Sequence, residues 1–202
     1  MTSAELKQFY EKLYFQEVET RDKIHGRLQL PLTLLLAIAG AVVFLFQNFE
    51  YQTGVWTAQR IAFVFFFSSG SVILACAMTW FVKALYNNEY YFLPDSKKTA
   101  EYKALLEETY KDYDERYKLV SDALDEYLTD YYIDYATFNT QVNDRRSVYI
   151  HLCNGAIIGA AVLFIAAYLM FYFGDLDKGK IKPATEVFIT KPIDVRIHGT
   201  GK

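Results

Sequence analysis

IAFVFFFSSGSVILACAMTWFV, residues 61–82, is the stretch that decides the fold. It is 22 residues long and carries no charge. As a helix it would rise about 33 Å, enough to cross a hydrocarbon core of about 30 Å. Two further uncharged runs lie on either side of it. LQLPLTLLLAIAGAVVFLFQNF covers 28–49, again 22 residues, and SVYIHLCNGAIIGAAVLFIAAYLMFYFG covers 147–174, 28 residues. The chain reads as an all-α integral membrane protein with three transmembrane helices. An N-terminal amphipathic helix, a cytoplasmic helical hairpin and a short β-rich tail complete the expected architecture.

Working outward, the connecting segments carry the charge. The net charge of −3 over 202 residues is an average of unlike parts. Residues 95–144 hold thirteen Asp/Glu against six Lys/Arg, whereas the tail 175–202 is slightly basic. An acidic connector argues against nucleic-acid binding, which needs cations opposite phosphate. No P-loop or glycine-rich strand–helix turn is present, and no catalytic constellation, so no enzyme activity and no cofactor or metal is expected. Cys76 and Cys153 both fall inside spans and read as small buried apolar residues. Paired membrane histidines can ligate haem, but His25 and His151 read more simply as boundary residues. The polar residues 1–27 are too many for a signal n-region, so the first span is expected to remain as a signal-anchor.

Arg21, Lys23 and Arg27 precede the first span, Lys83 follows the second, and Arg145 and Arg146 precede the third. The positive-inside rule then puts the N-terminus and the long connector in the cytoplasm and the tail outside, in an inner membrane. Lys178, Lys180 and Lys182 run against that assignment.

The organisation predicted along the chain has five parts. Residues 1–27 form a juxtamembrane helix with Leu6, Phe9, Tyr10, Leu13 and Tyr14 on one face and Ser3 as N-cap. Residues 28–84 hold the first two spans, with Pro31 in the opening turns of the first. Residues 85–147 form an acidic, tyrosine-rich stalk, capped at Asp95 or Ser96. Residues 148–174 are the third span and 175–202 the tail, where 186–190 and 194–198 read as a small hairpin. In the stalk, Leu106, Tyr110, Tyr113, Tyr117, Val120, Leu124, Tyr127 and Tyr131 alternate at spacings of four and three, a heptad seam suited to oligomerisation. Both ends of the stalk must return to one membrane face, so it must bend. The break is expected near 129–140, where aspartates, β-branched residues and Asn139 lower helix propensity. Beyond it, Phe138, Val142, Arg145, Tyr149 and Leu152 share a face.

Two features in the spans could carry function. Ser68, Ser71, Ala75 and Thr79 share one face of the second span. Close helix packing is the commoner use of such a stripe; lining a pore, when several copies surround an axis, is the sharper one. Gly155 and Gly159 form a GxxxG helix-packing motif, and neighbouring Asn154 needs a hydrogen-bond partner in lipid. No Asp, Glu, Lys or Arg lies in a span core, which argues against active transport but not against a passive pore.

Tyr10, Tyr14, Glu17, Arg21, Asp22, Ile24 and Arg27 lead into two closely spaced spans and an acidic helical segment. Over residues 9–128 this layout resembles the SLATT superfamily of small bacterial membrane proteins, associated with nucleotide-second-messenger and other anti-phage defence systems. The third span and the tail depart from the two-span family pattern. The resemblance implies a homo-oligomeric effector that permeabilises or depolarises the inner membrane on infection and arrests growth. A co-encoded cytoplasmic sensor or enzyme would be its partner. The alternative is a membrane-anchored scaffold or regulatory subunit that recruits a cytoplasmic partner without forming a pore.

Overall fold

A computed structural model describes residues 2–51 and 56–180. Five α-helices follow one another: α1 (Ser3–Arg27), α2 (Gln29–Asn48), α3 (Ala58–Leu85), α4 (Ser96–Thr109) and α5 (Arg116–Phe173), with a short 3-10 turn at Lys178–Lys180. Three helical stretches are long and apolar enough to cross a membrane, α1 with α2, α3, and α5. The only β pairing among the described residues is a single antiparallel bridge between Phe49 and Asp177. The predicted β-hairpin at 186–198 lies outside the described residues.

The N-cap of α1 is Thr2 rather than Ser3, because Glu5 three residues on completes a capping box with it. Helices α1 and α2 meet at Leu28, whose N–H bonds back to His25 O and Gly26 O. Pro31 falls in the first turn of α2, where its missing N–H has no intrahelical partner to lose. Asp95 caps α4 through Lys98 N, as one of the two expected candidates.

Helix α5 organises everything else. It runs for 58 residues, about 87 Å, from the polar hairpin through the third apolar run without a break. Besides Val120 and Val142, its buried positions are Tyr132, Ala136, Asn139, Asn143, Arg146, Ile150, Cys153, Ile157, Ala160, Phe164, Ala167 and Phe171. These alternate at spacings of four and three throughout, a single heptad seam. Helix α3 lays Phe63, Gly70, Leu74 and Ala77 against its membrane half. There a Cβ on Gly70 would come within 3.2 Å of Phe164 and 3.3 Å of Leu163, so only glycine allows this approach without displacement. Helix α1 runs beside the other half, Tyr14 tilted against Tyr132 and Lys7 paired with Asp125.

The bend in the connector is at 110–115, not at 129–140. Asp112 and Asp114, poor helix formers at an interior, sit there with Glu115, and the three acidic residues are favourable just before the N-terminus of α5. Residues 129–140 stay helical because their polar side chains are already engaged. The Thr129, Thr137 and Thr140 hydroxyls donate to carbonyls four residues back, and Asn139 is taken by the linker. The proposed seam from Leu106 to Tyr131 is therefore not one continuous stripe. It folds on itself, Tyr102 of α4 stacking on Tyr127 of α5 at 4.2 Å with Leu106 and Val120 buried nearby. The return geometry closes. The linker 86–95 reaches at most about 33 Å and α4 about 21 Å, together enough to cover the about 47 Å that α5 rises from Arg116 to Ser147.

Candidate functional site

The linker 86–95 has no helix or sheet to satisfy its backbone, so its amides must find other partners or water. Side chains from two helices supply them. Asn139, fully buried on α5, accepts from Tyr91 N and donates to Tyr91 O, each at 3.0 Å. Tyr14 of α1 accepts from Leu93 N at 3.1 Å. At the start of the linker Asn87 takes a left-handed conformation with φ 58°, and the Asn88 amide donates to the carbonyls of Ala84 and Tyr86. Asparagine tolerates both roles, the backbone conformation and the cap.

One turn nearer the membrane the seam of α5 becomes a polar network. Arg146 is 4% exposed. Its Nε donates to Ala84 O at 2.9 Å and its Nη1 to the Tyr90 hydroxyl at 2.7 Å. The Tyr90 hydroxyl in turn donates to Asn143 Oδ1 at 2.7 Å, and Asn143 Nδ2 donates to the backbone and carboxylate of Glu17. The chain Arg146–Tyr90–Asn143–Glu17 thus ties α5, the linker and α1 together and also engages the last turn of α3. Among the described residues no carboxylate lies within 4.0 Å of Arg146, so its charge rests on neutral partners. A buried cation without a counter-ion is expensive, and this one is fixed by two hydrogen bonds and the Tyr90 ring, 5.8 Å from its guanidinium carbon.

Arg146 forms part of the wall of a cavity of about 690 Å³. Arg21, Asp22 and His25 of α1, Leu85 at the end of α3, and Asn88, Tyr90 and Phe92 of the linker complete it. Arg21 lies over the rings of Tyr90 and Phe92, 5.9 and 5.2 Å from their centroids, and pairs with Asp22. Tyr10, Tyr14, Glu17, Arg21, Ile24 and Leu28 recur at spacings of four and three, so the face of α1 turned toward α5 carries most of the residues that suggested the family resemblance.

Ser68, Ala75 and Thr79 are exposed and Ser71 is half-buried. At 100° per residue Ser68, Ala75 and Thr79 lie about 140–180° around α3 from Gly70, and Ser71 about 100°. The stripe is thus outside the packing within one chain. The hydroxyls of Ser71 and Thr79 donate to Phe67 O and Ala75 O, at 2.8 and 2.9 Å, so neither needs a partner from another helix. Gly155 has open space where a Cβ would stand, while Gly159 meets only Ile73 at 3.8 Å. Asn154 is half-buried beside them. In the hairpin, Tyr113 and Tyr117 are largely exposed, and Tyr110 marks the end of α4. Val120, Leu124 and Tyr127 pack toward α4 or sit half-buried. The Tyr127 hydroxyl is pushed up to about 12 by its hydrogen bond with Tyr131 and by burial, and burial also raises Tyr132 and Tyr135.

The polar junction was not anticipated from the sequence. From sequence Arg146 reads only as a flanking cation and Asn139 as a helix-weakening residue, and nothing singles out Asn143. Extending the apolar alternation of 150–171 backward at threes and fours lands on 146, 143 and 139, which is the signal that could have found them. Comparison with protein-family models, curated proteins and solved structures gives no match.

Proposed function

We propose that this chain assembles in the membrane as a homo-oligomer whose α3 helices line a passive path for ions. The observation that carries the reading is the position of the small polar stripe. Ser68, Ala75 and Thr79 face away from α5 and are left for lipid or for another copy. Internal bonding of the Ser71 and Thr79 hydroxyls lets the face tolerate hydrocarbon before assembly and water after it. The open Gly155 surface of α5 supplies a second helix-contact face on the same chain. In the setting the SLATT resemblance implies, opening such a path would depolarise the inner membrane and arrest growth on infection.

The test is ion flux from vesicles carrying the purified protein, with Ala75→Leu and Thr79→Leu as variants. Both positions lie outside the intrachain packing, so folding and oligomer size stay unchanged while flux falls at least tenfold. Flux that persists at equal incorporation refutes the lining assignment. Absence of flux from the unaltered protein favours the second reading, a membrane-anchored scaffold. That reading draws on the exposure of Tyr113 and Tyr117 at the hairpin tip, which suits a cytoplasmic protein partner.

A further inference from the structure

The cavity bounded by Arg21, His25 and Arg146 is not used by the proposed path, and its chemistry points to a ligand of its own. Three observations converge on it. First, Arg146 is largely buried, its Nη2 is the accessible part of the guanidinium and makes no hydrogen bond to any described residue, and no described carboxylate lies within 4.0 Å of it. Second, the remaining wall brings a second guanidinium, an imidazole and the Tyr90 hydroxyl to the same space, with Asp22 as its sole acidic group. Third, the cavity has a fixed depth. The three apolar runs begin or end at 28, 82 and 147, and the wall residues His25, Leu85 and Arg146 stand beside those limits. That is the level of the headgroups of a bilayer.

We propose that this cavity binds a phosphate group, with Arg146 and Arg21 as its charged ligands and His25 at the rim. Guanidinium forks match phosphate oxygens in charge and geometry, and the low exposure of Arg146 strengthens the pairing on its side of the site. A volume of about 690 Å³ accommodates a phosphate with a polar substituent rather than a bare ion alone. Asp22 holds Arg21 through two contacts at 2.8 and 2.9 Å and so competes with the ligand for it. Two sources share this chemistry, the headgroup of an anionic phospholipid and a free phosphate compound from solution. Bound phosphate would supply the counter-ion that the junction lacks and lock α1, the linker and α5 to one another.

The full chain is tested in two arms. In nanodiscs of phosphatidylcholine with phosphatidylglycerol, native mass spectrometry counts anionic lipid retained after release. In neutral detergent, the thermal midpoint is followed against inorganic phosphate, with chloride at matched ionic strength as control. Arg21→Gln is expected to weaken retention or the phosphate effect about tenfold, and Asp22→Asn to strengthen it. Opposite signs from adjacent positions distinguish a binding site from loss of folding, which would move both variants the same way. His25→Gln, at an exposed rim position, gives a smaller loss. A response confined to the first arm identifies a lipid headgroup, and one confined to the second a soluble phosphate. No preference for phosphate in either arm, or equal behaviour of Arg21→Gln and Asp22→Asn, overturns the assignment.

Discussion

Replacing Asn139 with alanine removes the two hydrogen bonds that hold the linker at Tyr91, and the consequence can be worked through. Each bond is 3.0 Å long and the amide is fully buried. A hydrogen bond of this kind contributes about 1 kcal/mol net, so the pair contributes about 2 kcal/mol. The loss falls on local opening of the linker rather than on the membrane core, because Asn139 touches the linker backbone and not the apolar seam above Ile150. An opening free energy lowered by about 2 kcal/mol raises the exchange rate of the Tyr91 amide about 30-fold. Hydrogen–deuterium exchange read by mass spectrometry on peptides covering 86–95 measures this directly. In the unaltered protein Tyr91 is protected although its segment is irregular. Asn139→Asp retains an acceptor for Tyr91 N but loses the donor to Tyr91 O, so it falls between the two. Leu93, held by Tyr14 rather than Asn139, changes less than Tyr91. Identical exchange at Tyr91 in the unaltered protein and in Asn139→Ala would show that the side chain does not hold the linker.

Gly70→Leu drives a side chain into Phe164 and Leu163 and destabilises the α3–α5 contact by about 1–3 kcal/mol, seen as a lower thermal midpoint in detergent. Adding Phe164→Ala makes the double variant less unstable than the sum of the single effects, and strict additivity would refute the steric account. The tyrosines of the hairpin give a pH signature. The hydroxyl of Tyr127 ionises near 10 in the unfolded chain and near 12 in the fold, so its contribution is complete below pH 10 and is lost as pH rises through about 12. Tyrosinate absorbance with limited proteolysis of α4 follows this, and a hairpin that opens below pH 10 contradicts it.

The spans were legible because lipid imposes a composition that no local context overrides: 28–49 and 61–82 coincide with α2 and α3 to within a few residues. The hairpin was legible for a similar reason, since 85–147 joins the ends of two neighbouring apolar helices and has to double back. Its turn was misplaced because propensity treats Thr137, Asn139 and Thr140 as if nothing surrounded them. In the fold those side chains are satisfied by the preceding turn or by the linker, and the helix persists. Asp112 and Asp114 have no such bonds among the described residues, and the chain turns there. The stripe on α3 was legible as a face, but which neighbour that face meets depends on assembly. The junction was hidden because its pieces come from positions 17, 90, 143 and 146, which only the long-range packing of α1 and the linker on α5 brings together.

The unbroken course of α5 has a mechanical consequence. Arg146, held to the last turn of α3 and to the linker, sits about 45 Å from the hairpin end at Arg116 and about 40 Å from the far end at Phe173. Both arms of the helix are supported, by α1 beside the hairpin half and by α3 beside the apolar half. A connector jointed at 129–140 would absorb a sideways push on the hairpin. An unbroken helix has no such joint, so a tilt of the hairpin is carried directly into the apolar half of α5.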